Sequence, residues 1–308
     1  MFYFMMKIKS KGDFLMYYHE INLRPDNPQA GMKLYLLDEE ITHKKHRNRP
    51  LMIVCPGGGY LSLAHKESEP VVARFLGLGF NVALVNYSVY FKQRPDESQP
   101  AIVNEDYRVK DSLLDLVTSL NLVEQHAAEW FIDTSRVYLL GFSAGSHLVT
   151  SLAERYLDKQ WRREVQLKIT FKIRGLLLSY PMLSANAVHV KEQAHFDELM
   201  AKESLAQLDL VTQVNAQMPR TFIWQGNEDL AVSPLETSKF VVKLQEAGIA
   251  CEYHLFATGG HGLALADRTS AVFASDIQPN LAAWVELARV WLAQDEPATI
   301  HLYPDNRE

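Results

Sequence analysis

The chain has 308 residues, 47% hydrophobic and 22% charged, with 31 basic and 37 acidic side chains and a formal charge of -6. This is ordinary globular composition, long enough for one large α/β domain or two small ones. The negative balance argues against nucleic acid or an anionic membrane as partner.

The amino terminus, Met1-Phe2-Tyr3-Phe4-Met5-Met6, is apolar but is interrupted by Lys7, Lys9 and Lys11. It lacks the apolar core and small-residue cleavage site of a signal peptide, and no run approaches the length of a membrane span. Cys55 and Cys251 stand far apart and read as reduced, buried small hydrophobes. A cytoplasmic location is therefore expected. Met16-Tyr17-Tyr18-His19 also reads as a natural start, which makes Met1 and Met16 rival starts and residues 1–16 a candidate non-native extension.

In chain order, β-rich runs at Tyr18 to Leu23 and Lys33 to Leu37 flank a turn cluster at Arg24 to Pro28. Leu51 to Val54 is a continuous apolar run, as in a strand buried on both faces. A helix is expected over Glu69 to Leu78, a strand over Val82 to Val85, and a long helix within Asn104 to His126. A strand at Val137 to Leu140, a helix from Ala144 to Tyr156 and a strand at Ile173 to Ser179 follow. The alternation then stops, and His189 to Val214 is polar and reads as mostly helical. Thr221 to Trp224 resumes as strand, Pro234 to Ala247 as helix, Tyr253 to Phe256 as strand and Leu281 to Leu292 as closing helix. Strands alternating with helices imply a mostly parallel sheet covered on both faces. The chain thus reads as a single domain, with about 182–217 inserted as a cap over one end of the sheet.

The chemistry concentrates at Gly141-Phe142-Ser143-Ala144-Gly145, a G-x-S-x-G sequence between a predicted strand and a predicted helix. A serine is an effective nucleophile there because a sharp strand-to-helix turn holds its hydroxyl outward. Ser143 needs a base, an orienting acid and oxyanion donors. Asp229, in Gly226-Asn227-Glu228-Asp229, follows one predicted strand, and His261, in Gly259-Gly260-His261-Gly262, follows the next. Catalytic groups of such sheets gather at the carboxyl ends of strands, where all three fall. His261 is read as the base and Asp229 as its orienting acid, with Glu228 as the rival. Pro56-Gly57-Gly58-Gly59-Tyr60 follows the buried Leu51 to Val54 strand, so the amides of Gly58, Gly59 and Ala144 are expected to bind the oxyanion. A phosphate-binding glycine loop is the competing reading, but no G-K-[ST] follows.

Other residues read more plainly as structure. His147 suits a satisfied helix–sheet contact, His254 a strand position, and His43, His46 and His65 polar loops. His189 and His195 suit a solvated face of the inserted segment. Trp130, Trp284 and Trp291 read as packing, and Trp224 as core or pocket wall. No group of His, Cys, Asp or Glu has metal-ligand spacing, and no cofactor is called for.

With these residues placed, the chain resembles the α/β-hydrolase family, specifically the acetyl-esterases and xylan-esterase-like carboxylesterases. The resemblance runs from about Tyr18 to Leu292. It is carried by Val54 to Tyr60, Trp130 to Asp133, Gly141 to Leu148, Gly226 to Asp229 with Val232, and Gly260 to Leu263. It implies a mostly parallel central sheet with helices on both faces and hydrolysis of short-chain esters, often of acetylated sugars, by Ser143, Asp229 and His261. The chain departs from the pattern at Ser146, where the family usually has Gly, and at Pro56, where lipase-type loops carry His. A small-molecule ester is the expected partner. Amide hydrolysis, a non-catalytic binding role and a homodimer stay open at this level.

Overall fold

The computed structural model describes residues 3–9, 15–37, 48–96, 98–185 and 188–295; His43 and His46 lie outside them. From the amino end come β1 (Tyr3–Lys9), β2 (Leu15–Arg24), β3 (Asn27–Leu37), β4 (Arg49–Cys55), α1 (Glu69–Gly77) and β5 (Asn81–Asn86). A small ribbon of β6 (Phe91–Gln93) and β7 (Ile102–Val103) precedes α2 (Val109–His126), β8 (Ile132–Phe142), α3 (Ala144–Ala153) and α4 (Lys159–Glu164). The rest is β9 (Ile173–Ser179), α5 (Gln193–Met200), β10 (Arg220–Gly226), α6 (Pro234–Glu246), β11 (Cys251–Phe256), α7 (Pro279–Ala282) and α8 (Trp284–Ala293).

One nine-stranded sheet has the order β1-β2-β3-β5-β4-β8-β9-β10-β11. The pairs from β1 through β3 to β5 are antiparallel, and those from β5 to β11 are parallel. The apolar runs explain the layering. Side chains alternate across a strand, so Leu51, Ile53 and Cys55 face one core with Leu139, Leu120 and Leu148, while Met52 and Val54 face the other with Phe75, Leu140 and Trp284. α2, α3 and α6 thus cover one face, and α1 and α8 the other. Trp224 is core: it stacks on Trp284 with centroids 5.1 Å apart, and its indole N–H donates to Ser179 Oγ at 2.8 Å. Among the described residues no helix is long and apolar enough to cross a membrane.

Three expectations are corrected in detail. Between β9 and β10, the segment His189 to Val214 is helical only over Gln193–Met200 and a 3-10 turn at Leu210–Thr212. Its backbone leaves the helix because Leu208 offers its carbonyl to His147 and the Leu210 amide bonds the Leu183 carbonyl at 2.9 Å. The closing helix is divided at Ala283, although φ -60 and ψ -18 there keep the backbone right-handed. The helix after Ser143 ends at Ala153. The short α4 was not apparent from hydrophobic pattern; its signal is Asp158, whose carboxylate caps Trp161 N at 2.7 Å.

Glu154, at the end of α3, is 8% exposed, and neither carboxyl oxygen has a hydrogen-bond partner among the described residues. Burial pushes its acid from 4.5 up to about 9. The folded chain therefore holds a proton that the unfolded chain releases, and stability falls as pH rises between those values. Glu154→Gln is predicted to raise the urea midpoint at pH near ~8 and to leave it almost unchanged near ~4, where both states are protonated.

Candidate active site

β8 enters the elbow and α3 leaves it, with Ser143 between them at φ 50 and ψ -115. That conformation costs a non-glycine residue about 1–3 kcal/mol and persists only where the surroundings impose it. They do so by close packing. A Cβ on Gly145 would stand on the Cys55 carbonyl oxygen at the end of β4, and one on Gly141 would meet Gly145 at 2.5 Å. Ser143 N also donates to Ser179 O at 3.0 Å, and Ser146 Oγ donates to Gly141 O at 2.7 Å. Ser146 thus adds a hydrogen bond across the base of the turn.

The structure brings Ser143, His261 and Asp229 together. His261 Nε2 lies 2.8 Å from Ser143 Oγ, and His261 Nδ1 lies 2.8 Å from Asp229 Oδ2. Asp229 sits just past β10 with its side chain buried. Its Oδ1 accepts the amides of Ala231 and Val232, both at 2.9 Å, and Oδ2 also accepts Gln225 Nε2 at 3.1 Å. Four donors hold the carboxylate in the orientation that meets the imidazole. Since an ionised carboxylate only accepts, Nδ1 carries the imidazole proton and Nε2 faces the serine as acceptor. Glu228, by contrast, is exposed and points away from this relay, accepting the Gly259 amide at 3.0 Å. It braces the loop that carries His261.

The Gly57 to Gly59 loop crosses the mouth of the elbow. Gly58 has φ +127, and any side chain there would collide with the Ser62 carbonyl. Gly58 and Gly59 donate no hydrogen bond to another described group, and Ala144 is the first residue of α3, where the helix offers its amide no acceptor. These are the donors expected from the sequence. The place of a lipase-type histidine is taken by other contacts: Tyr87 donates to the Pro56 carbonyl at 2.6 Å, and Glu67 accepts the Gly57 amide at 2.6 Å.

His147 is fully buried and away from the relay. It donates from Nε2 to the Leu208 carbonyl at 3.0 Å and accepts the Tyr60 hydroxyl on Nδ1 at 2.8 Å. Burial holds its pKa down to about 4, so it is a neutral clamp between α3, the glycine loop and the segment after β9. That segment reaches the site elsewhere too. His189 N bonds Ala231 O at 2.8 Å, and Val190 and Phe196 stand 3.4 and 4.0 Å from where a Gly59 Cβ would be. His189 and His65 are exposed, His195 packs on Phe91, and His254 bonds Glu252 at 2.8 Å. Among the described residues no group of His, Cys, Asp or Glu is placed to hold a metal.

Sequence reasoning missed Glu67, Tyr180 and Gln225. Gln225 lies inside a strand, and Glu67 lies in His65-Lys66-Glu67-Ser68-Glu69, which reads as a solvated charge run. Only the tertiary structure shows that Glu67 turns inward.

Gly145→Ala is predicted to lower stability by about 2 kcal/mol or more, because neither the Cys55 carbonyl nor the Ser143 turn can move aside. The urea midpoint and the rate at which a phosphonate labels Ser143 should fall together. An unchanged midpoint would show that the elbow is not so tightly packed.

The BD-FAE family matches residues 37–244, more than half of the chain. Endo-1,4-beta-xylanase B of Butyrivibrio fibrisolvens is 29% identical over 234 residues, 73% of this chain. A probable isoprenylcysteine alpha-carbonyl methylesterase of Arabidopsis thaliana is 24% identical over 224 residues, 66% of this chain. The chain spans only 34% and 47% of the lengths of these two relatives. Among solved structures, a carboxylesterase of Lactobacillus plantarum is 22% identical with TM-score 0.75, covering 96% of this chain and 98% of its own. An acetyl ester-xyloside bifunctional hydrolase of Caldicellulosiruptor lactoaceticus is 26% identical with TM-score 0.69, covering 89% and 95%. The fold is that of the α/β hydrolases, and the chain belongs to BD-FAE, an esterase family of that fold.

Proposed function

We propose that the protein is a cofactor-independent serine hydrolase of short-chain carboxylic esters, with Ser143 as nucleophile, His261 as base and Asp229 as orienting acid. The observation that carries this reading is the unbroken relay from Asp229 Oδ2 through His261 to Ser143 Oγ, each step 2.8 Å. Membership of an esterase family supports the choice of bond.

In this mechanism Ser143 Oγ forms a bond to the ester carbonyl carbon as its proton passes to His261 Nε2. The carbonyl electron pair moves onto oxygen, where the Gly58, Gly59 and Ala144 amides stabilise it. The intermediate collapses, the C–O bond to the alcohol breaks, and His261 gives the alcohol its proton. Water then loses a proton to His261 as it attacks the acyl carbon, the bond from that carbon to Ser143 Oγ breaks, and His261 returns the proton to Oγ, releasing the carboxylic acid and free Ser143. Asp229 stays ionised throughout and stabilises the transient imidazolium.

Val190 and Phe196 lie beside Gly59, within ordinary van der Waals reach of a Cβ placed there. The xylanase name of one relative and the acetyl ester-xyloside name of another point to acetylated xylo-oligosaccharides as the first substrates to try. Both cysteines are free thiols, in keeping with a cytoplasmic site of action.

A panel of acyl esters from acetyl to octanoyl, with acetylated xylo-oligosaccharides, should show turnover falling as the acyl chain lengthens. Ser143→Ala should abolish it, and Asp229→Asn should lower kcat by about 10⁴-fold. Faster cleavage of formamides or aminopeptides than of matched esters would reassign the bond to an amide. Full activity in Asp229→Asn would move the acid role to Glu228.

A further inference from the structure

Glu67 ends a short 3-10 turn (His65–Glu67) and is 2% exposed, although its neighbours His65 and Glu69 face solvent. A buried carboxylate is costly unless donors meet both oxygens. Here they do. Oε2 accepts the Gly57 amide at 2.6 Å, and Oε1 accepts the Tyr180 hydroxyl at 2.6 Å. The Tyr180 oxygen in turn accepts the Ala264 amide at 3.0 Å. This arrangement gives an ionised Glu67 one donor on each oxygen. Burial pushes the carboxyl above its usual range, while Tyr180, Gly57 and His261 pull it back.

This carboxylate is placed against the reacting groups on two sides. An atom added at Gly57 would lie 2.8 Å from Glu67 Oε2 and 2.9 Å from Ser143 Cβ, so Glu67 and the nucleophile back onto one point. Tyr180 extends the network to the base, its ring 4.9 Å from the His261 ring at 67°. Ala264, at the far end of the chain, lies three residues beyond His261 in the same loop. The mechanism above gives Glu67 no role.

We propose that Glu67 is a positioning residue of this site, a second buried carboxylate that fixes the Gly57 to Gly59 amides and favours the imidazolium form of His261. The inference rests on the serine-hydrolase reading. By occupying the Gly57 amide, Glu67 leaves Gly58 and Gly59 as the loop's donors and sets the plane of the peptide that carries them. Its charge adds to that of Asp229 when His261 takes the serine proton. Other groups near the base are Tyr180 and Lys66, whose Cε lies 4.0 Å from where a Gly262 Cβ would be and whose ammonium pairs with Asp276 at 3.4 Å; Glu228 points away and touches the loop only through the Gly259 amide.

The test is kcat, KM and the pH profile of kcat/KM for 4-nitrophenyl acetate on the wild type, Glu67→Gln and Glu67→Asp, with Ser143→Ala as blank and a thermal melt on each. Glu67→Gln keeps the size and removes the charge. It should lower kcat at least about tenfold with KM within about twofold, and move the acidic midpoint down by about one pH unit because the imidazolium loses an attractive neighbour. Glu67→Asp keeps the charge but falls a methylene short of Gly57. It should hold the wild-type midpoint while kcat stays low. Glu67→Gln with the wild-type midpoint and kcat, changed only in its melt, would overturn the proposal. If Glu67→Gln does not fold, wild-type kcat in Glu67→Asp overturns it instead. A wild-type enzyme without Ser143-dependent turnover would sink the serine-hydrolase reading itself, and this inference with it.

Discussion

Ser143 is held at φ 50 by backbone packed against backbone, and the rest of the site is arranged around that constraint. α3 starts so close to the end of β4 that no side chain fits at Gly145, and the Cys55 carbonyl fills the space. Once the chain must turn this sharply after β8, Ser143 points its side chain out of the sheet toward His261. The cost of the turn is met by the sheet beneath it, where Val54, Leu140 and Leu177 pack without exposure on one face and Ile53, Leu139 and Leu176 on the other. The strained turn at Ser143 thus depends on an apolar core that has no chemistry of its own.

A second layer of order comes from buried polar groups. Asp229, Gln225 and Thr237 form one chain of hydrogen bonds under the acid loop, the last from Thr237 Oγ1 to Gln225 Oε1 at 2.6 Å. Glu67, Tyr180 and Ala264 form another, and His147 with Tyr60 and Leu208 a third. Each joins loops that are remote in sequence. Leaving a buried polar group unpaired is costly, so these chains allow few alternative arrangements. The segment after β9 has little regular structure, yet three such contacts fasten it: Leu208 to His147, His189 to Ala231, and Leu210 to Leu183.

Much of this was legible in the sequence, for identifiable reasons. The parallel strands were marked by uninterrupted apolar runs such as Leu51 to Val54, and β9 was found with the bounds it has in the structure. That Ser143, Asp229 and His261 would come together was legible because each follows a strand and the order along the chain restricts the choices. The choice between Glu228 and Asp229 was harder, since they are adjacent and only the tertiary structure shows that Asp229 is the one that meets His261 Nδ1, at 2.8 Å. Glu67 and Tyr180 were not legible. Their pairing spans more than a hundred residues, and nothing near Glu67 distinguishes an inward carboxylate from a solvated one. The helical reading of His189 to Val214 failed in part because its apolar residues serve separate neighbours instead of one continuous face.

The central claim is that Ser143 is activated by His261, and covalent labelling tests it most directly. A fluorophosphonate incubated with the folded wild-type protein should add one label, mapped by peptide mass spectrometry to Ser143. The rate should collapse in His261→Ala while the thermal melt stays cooperative. Label on another residue, or an undiminished rate in His261→Ala, would contradict the account.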